Sequence, residues 1–444
     1  MAETRPDRLI SLDVFRGITI AGMVLVNNPG TSPVYWPLDH AEWNGLTPTD
    51  WIFPFFLFIV GVSISISLGK KVGTTGGDGT SFGTYSKIIR RSLSIYLLGA
   101  SVSILPFFQF QATDAPDLLK LLIWLVFCAA LFMLLLRKFL WAGILCGIGL
   151  LGIAAMNVAG YNVIGYDYGT LRIAGVLQRI AVCYLVTAIL FLHTTWKQQL
   201  WISAAILLIY WAVMTLIPVP GCEITSMNDK ACNLAAYLDR LILTENHIWR
   251  YGKVYDPEGI LSTFPAIVTT ISGVLAGTWL LKRRADDDPQ KRFAASYEKA
   301  AGMSFFGVVL LAAGLIWNSW FPMNKALWTS SYVLATTGLA LLMLGCCYWL
   351  IDLKGIHRWA WPFEVFGANA IALFVFSGFH ARMMNGFRVM DGEKSVSLHG
   401  WVMNHIFLPI AQPIDASWMY AVSFILFWLF LMWLLYRKQI YVKV

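Results

Sequence analysis

Long apolar runs, each ended by a short polar stretch, recur along the whole chain. They fall at roughly 9–27, 51–69, 87–107, 118–136, 139–157, 172–193, 200–217, 259–281, 300–317, 328–350, 361–380 and 416–436. Lipid satisfies no backbone N–H or C=O group, and a helix needs ~20 residues to cross the bilayer core. Runs of this length therefore predict membrane-spanning helices. Short alternating strands, the mark of a membrane β-barrel, do not stand out. The predicted fold class is all-α: a polytopic integral membrane protein of about twelve transmembrane helices in one domain. Asp13 and Arg16 in the first run are spaced i,i+3 and can pair on one helix face.

The polar stretches carry the orientation. Arg5, Arg8, Lys87, Arg90, Arg91, Arg137, Lys138, Lys197, Arg283, Arg284 and Arg437 gather in alternate segments, and the others hold few cations. The positive-inside bias puts both termini in the cytoplasm. It puts residues 28–50 and the 218–258 loop on the opposite side. The cytoplasmic stretch 70–87 is rich in glycine but lacks G-x-x-x-x-G-K-[ST], so it predicts no phosphate loop.

Composition agrees with this picture. The chain is 58% hydrophobic and 13% charged, with a mean hydropathy of +0.64. Soluble domains average about 45–50% and about 25%. The formal net charge of +8 does not point to nucleic acid, because the cations sit at helix ends rather than in an aromatic-interleaved patch. The charged N-terminus has no A-x-A site after the first run, which predicts uncleaved insertion. Asn-x-Ser/Thr sequons are absent. The expected location is a bacterial inner membrane. Five of seven cysteines lie in apolar runs, where the residue behaves as a small hydrophobe. Cys222 and Cys232 instead bracket a polar loop and are expected to pair in an oxidising compartment.

The stretch NNPGTSPVYWPLDHAEWNGLTPTD (27–50) is the most chemically suggestive. It sets His40 in a Trp-rich polar loop near Asn27, Asp39, Trp43 and Asn44, just before Asp50. An imidazole titrates near neutrality, so it can move a proton or carry an acyl group. Interfacial packing is the alternative for a loop histidine between tryptophans. Asp39 could hold the charged ring. Asp50 and Asn44 suit either a helix start, with Thr47 or Thr49 as cap, or binding of an acceptor. Asp256, followed by Pro257, has the form of an N-cap, and Asp256 and Glu258 could equally bind an ammonium group. Arg179 and Gln178 are expected about two turns into a span, where a charge needs a partner such as Asp13, Asp50 or a ligand oxygen. His380, His399 and His405 follow no metal-ligand spacing, so no metal site is expected.

Several segments resemble one known family. RLISLDVFRGITIAGMVLVNN (8–28) and DHAEWNGLTPTDWIFPFFLFIVGVSI (39–64) are similar to the heparan-α-glucosaminide N-acetyltransferase family of transmembrane acyltransferases, bacterial relatives included. LRIAGVLQRIAVCY (171–184), PVPGC with its later Cys232, AAYLDRLIL, YDPEGILST, FPMNKALWTSSYV (321–333) and YRKQIYVKV continue the likeness in order. Residues 118–157 stand out as an extra helical hairpin relative to the lysosomal enzyme.

The resemblance implies acetyl transfer from cytoplasmic acetyl-CoA to the amine of a glucosamine residue across the membrane. His40 matches the family's catalytic histidine, as general base or acetyl carrier, and Asn27 its active-site asparagine. Asn324 and Lys325 match a family segment and are expected near the acyl arm or the sugar. Arg90, Arg91 and Arg283 are cations available to the coenzyme A phosphates. The expected partners are an amino sugar or glycan, coenzyme A and lipid, with a homodimer as one assembly. Two rival readings stand beside this one. One is an amino-sugar transporter, suited by intramembrane charges. The other is an O-acetyltransferase acting on a cell-envelope glycan.

Overall fold

A computed structural model of the protein describes residues 9–72, 81–282 and 289–442. Arg283 lies outside the described residues. The helices are α1 (Ile10–Val26), α2 (Ile52–Val72), α3 (Phe82–Ile104), α4 (Asp117–Leu135), α5 (Phe139–Val158), α6 (Val176–His193), α7 (Trp196–Leu216) and α8 (Leu234–Leu243). They continue as α9 (Ile260–Leu281), α10 (Pro289–Trp317), α11 (Ser330–Cys347), α12 (Trp361–Ala368), α13 (Ala370–Gly386), α14 (Leu398–Val402) and α15 (Pro413–Arg437). The protein is an all-α, multi-pass membrane protein.

Among the described residues, nine helices are long and apolar enough to cross a membrane. The apolar runs behind α1, α3 and α12–α13 fall outside that number for separate reasons. Helix α1 has 17 residues and carries Asp13 and Arg16. Lys87, Arg90 and Arg91 interrupt α3. Helices α12 and α13 are bent by 74° where they meet. There the Asn369 amide donates to the Ile440 carbonyl (3.0 Å) and accepts from the Val442 N–H (2.8 Å). A two-stranded antiparallel hairpin, β1 (Arg388–Asp391) and β2 (Lys394–Ser397), was not foreseen from the sequence.

The chain divides into two compact units. The first comprises residues up to Thr19, His40–Gly99 and Arg172–Gly367. Its core gathers Phe15, Phe55, Phe58, Val62, Leu344 and their neighbours. Arg16 pairs with Asp13 at 3.1 Å and donates to Ser63 Oγ at 3.2 Å, which satisfies a cation on a buried face. Helices α2 and α9 meet at backbone distance. A Cβ on Gly61 would fall 1.9 Å from the Thr270 carbonyl oxygen, and one on Gly273 would fall 1.9 Å from that of Phe58. Only glycine allows that approach. The contact fixes the helix that follows Asp50 against the helix that follows Glu258.

The second unit comprises Ile20–Asp39, Ala100–Leu171 and Ala368–Val444. It holds the α4–α5 hairpin, where buried Lys120 donates to the Phe110 and Thr113 carbonyls (2.8 and 3.1 Å) and pairs with Asp117 at 2.8 Å. Asn27 and Asp39 belong to this unit. The Asn27 N–H continues the α1 ladder to the Met23 carbonyl at 3.1 Å.

Candidate functional site

Several polar contacts at the head of α2 converge on Asp50. Thr47 precedes a 3-10 turn (Pro48–Trp51) that feeds α2, and Asp50 is the third residue of that turn. Its Oδ2 accepts the Thr47 N–H (3.1 Å), the Thr47 hydroxyl (3.0 Å) and the Ala41 N–H (3.2 Å). Oδ1 is left facing the ring of His40, with Nδ1 at 2.7 Å. The carboxylate is 1% exposed, whereas the imidazole side chain is 47% exposed. A buried, backbone-anchored carboxylate thus holds an open ring, which fixes tautomer and orientation. The sequence had suggested Asp39 for this role. Asp50 fills it because the turn directs its side chain back over the loop. Capping and imidazole-holding coexist in one residue, one carboxylate oxygen serving each.

A third group arrives from a distant turn. Asn324 is fully buried. Its N–H donates to Thr329 Oγ1 (3.0 Å), and its Oδ1 accepts the Leu327 N–H (2.9 Å). Lys325 follows, with Nζ 3.1 Å from His40 Nδ1, 3.3 Å from His40 Nε2 and 3.6 Å from Asp50 Oδ1. Burial lowers the Lys325 pKa, while the charges of Asp50 and Glu258 work against that fall. Beneath the site, the Tyr332 hydroxyl donates to the Asp50 carbonyl (2.6 Å), and Trp328 lies edge-on to Tyr332.

Asp256 and Glu258 meet a residue that sequence reasoning missed. Arg172 donates from Nε to Asp256 Oδ2 (2.9 Å), from Nη2 to Asp256 Oδ1 (2.5 Å), and from Nη2 to Glu258 as well. Burial opposes the charge on Arg172, but Glu258 and then Asp256 overcome it and hold the pKa above the usual arginine range. Asp256 itself is pushed up by burial against the pull of Arg172. Asp256 is not the N-cap its sequence suggested. Helix α9 starts later, after Gly259. Asp256 Oδ1 accepts the Glu258 N–H (2.9 Å) ahead of the helix, and the neighbouring Asp239 carboxylate accepts the Ile260 N–H (2.9 Å) and the Asp256 N–H (3.4 Å). Arg172 lies in the quoted LRIAG segment, but nothing local marks a partner for it.

Asp239 gives a stability prediction. Burial raises its pKa to about 6 from 3.8. The stabilisation linked to a raised carboxylate is complete below the unfolded value and lost as pH rises through the folded one. The melting temperature of the wild-type chain minus that of Asp239→Asn should therefore fall between pH 4 and about 6, then level off. A difference that grows with pH would contradict this.

Arg179 is buried, but in the first turn of α6 rather than two turns in, because extended Gly175 delays the helix start. Its partners are not Asp13 or Asp50. Nη2 donates to the Gly259 carbonyl (3.1 Å) and to Ser262 Oγ, and the guanidinium lies 5.1 Å from the Trp328 ring centroid. Trp43 packs edge-on against Tyr255, centroids 5.0 Å apart, which ties the His40 loop to the acidic segment. Arg90 is exposed on α3, and Arg91 lies over the Tyr184 ring at 5.2 Å. Cys222 and Cys232 form a disulfide.

Fold and site together define a multi-pass membrane protein in which a carboxylate–imidazole pair and a lysine meet at the head of a spanning helix. Residues 8–166 match the family model described as heparan-alpha-glucosaminide N-acetyltransferase, catalytic. The human heparan-alpha-glucosaminide N-acetyltransferase is 29% identical over 485 aligned residues, covering 99% of this chain and 60% of the human one. The mouse protein of that name is 27% identical over 415 residues, covering 83% and 53%. The chain is thus similar to the heparan-α-glucosaminide N-acetyltransferase family, through the model over residues 8–166 and through both mammalian proteins. It spans less than two thirds of the length of either mammalian relative.

Proposed function

We propose that the chain transfers acetyl from cytoplasmic acetyl-CoA to the amine of a glucosamine-type sugar on the far side of the membrane. The observation that carries this reading is the 2.7 Å hydrogen bond between His40 Nδ1 and Asp50 Oδ1. It makes Nδ1 the protonated nitrogen and turns the Nε2 lone pair away from the carboxylate. An amine attacks a thioester carbon while losing its proton to that lone pair. The C–N bond forms as the carbonyl electron pair moves to oxygen. Collapse then breaks the C–S bond, and the thiolate of coenzyme A takes the proton from the imidazolium. In the two-step variant Nε2 attacks first, coenzyme A leaves as a thiolate that takes a proton from the Lys325 ammonium, and the amine then takes acetyl from the ring and returns its proton to the lysine.

Lys325, 3.3 Å from Nε2, is a cation beside the reacting atoms. In this reading its ammonium leaves the ring for the thioester oxygen when donor arrives, which frees the lone pair and stabilises the developing oxyanion. Glu258 is the carboxylate better suited to the sugar ammonium, since Asp256 is fully buried beneath Arg172. Arg90, Arg91 and Arg283 remain the candidates for the coenzyme A phosphates. Lys325→Met should lower kcat about 10²–10³-fold with a smaller effect on KM for the donor. A wild-type kcat would remove the role given to the ammonium.

The reading is tested with purified protein, acetyl-labelled acetyl-CoA and glucosamine. Label on the sugar nitrogen is expected. Label on a sugar oxygen would replace the amine by a hydroxyl acceptor, and sugar uptake without acetylation would replace transfer by carriage.

A further inference from the structure

The Cys222–Cys232 disulfide closes a short loop that is braced from within. The Asp229 carboxylate accepts the Ala231 and Cys232 N–H groups (2.7 and 3.1 Å), and the Ser226 N–H donates to the Cys232 carbonyl (3.0 Å). Two adjacent groups on this loop grip the His40 loop. The Met227 carbonyl accepts the Trp43 indole N–H at 2.8 Å, and Asn228 Oδ1 accepts from Asn44 Nδ2 at 2.6 Å. Asn44 passes the contact on, its Oδ1 accepting from Asn324 Nδ2 at 3.1 Å. Alongside, the Gly45 N–H donates to the Met323 carbonyl at 2.8 Å. The three asparagines form one hydrogen-bonded chain ending next to Lys325. One segment it joins carries His40 and Asp50, and the other carries Lys325.

Resting on the acetyltransferase reading above, we propose that the disulfide-closed loop is a positioning element for acyl transfer. Through Trp43 and the Asn228–Asn44–Asn324 chain it sets the separation of Lys325 from His40. None of its residues touches the reacting atoms. Its effect is on geometry, and a displacement near 1 Å at a reacting centre is enough to slow the chemical step.

Asn228→Ala removes the acceptor that anchors Asn44, whereas Asn228→Asp keeps it. In Asn228→Ala, kcat should fall about tenfold while KM for both substrates stays within about twofold. The acid limb of the pH–rate profile should move to higher pH, because withdrawing a cation from a base makes its protonation easier. Asn228→Asp should recover most of the rate. Trp43→Phe, which keeps the packing and loses the N–H, and Cys222→Ala with Cys232→Ala should shift the same limb in the same direction. A melting temperature for Asn228→Ala within about 2 °C of wild type would exclude misfolding as the cause. Unchanged kcat and an unmoved limb in Asn228→Ala and Trp43→Phe would overturn the proposal while leaving wild-type transfer intact. Absence of transfer by the wild-type chain would instead overturn the acetyltransferase reading beneath it.

Discussion

Acetyl transfer should fall by about 10²–10⁴-fold in a His40→Ala chain, and by a comparable factor in Asp50→Asn. The second variant is the more informative, because it removes no bulk. Asp50 Oδ2 accepts two backbone N–H groups and the Thr47 hydroxyl, so the amide oxygen of an asparagine must occupy that position. The NH₂ group then faces His40 Nδ1, where Oδ1 stood at 2.7 Å. Nδ1 is forced to accept, Nε2 takes the ring proton, and the lone pair that served as base or nucleophile is lost. The double variant should be no slower than His40→Ala alone, since the two residues act as a unit. Rates near wild type in Asp50→Asn, from protein with an unchanged melting temperature, would show that the carboxylate does not govern the ring.

The largest expected effect on stability is at Arg172. Its guanidinium joins Asp256 and Glu258, whose side chains are 0% and 9% exposed. Arg172→Ala leaves two adjacent carboxylates without their cation, and breaking a buried pair this way removes about 3–5 kcal/mol. Arg172→Lys should recover only part, because an ammonium cannot reproduce the fork that engages both oxygens of Asp256. Lowering the pH should narrow the gap between Arg172→Ala and wild type, since burial already raises the Asp256 pKa and loss of the cation raises it further. Thermal unfolding in detergent at pH 7 and pH 5 measures both effects. Equal melting temperatures for the Ala variant and wild type at pH 7 would contradict them.

The spanning helices could be read from the sequence because the bilayer imposes their length. The run 139–157 became Phe139–Val158, and the run 51–69 became most of Ile52–Val72. Asp13 and Arg16 were also legible, since an i,i+3 pair depends only on helix geometry. The site was legible residue by residue but not as an arrangement. His40 and Asp50 stand ten positions apart, and a turn rather than a periodic element folds one onto the other. Lys325 reaches His40 across 285 residues, and Arg172 reaches Asp256 across 84. No spacing rule covers such separations. The start of α9 was misjudged for a related reason. Asp256-Pro257 has the local form of a cap, and Asp256 Oδ1 does accept the Glu258 N–H at 2.9 Å, but the helix begins only after Gly259, where Asp239 from a separate helix accepts the Ile260 N–H.

The central claim is that His40, held by Asp50, hands acetyl from a donor on one side of the membrane to an amine on the other. Proteoliposomes with labelled acetyl-CoA confined to the cytoplasmic face of the protein and glucosamine confined to the opposite face test it most directly. The account predicts labelled N-acetyl sugar in the compartment that never held coenzyme A, and none when His40 is alanine. Product formed at the wild-type rate by His40→Ala, or only when donor and amine share a compartment, would contradict it.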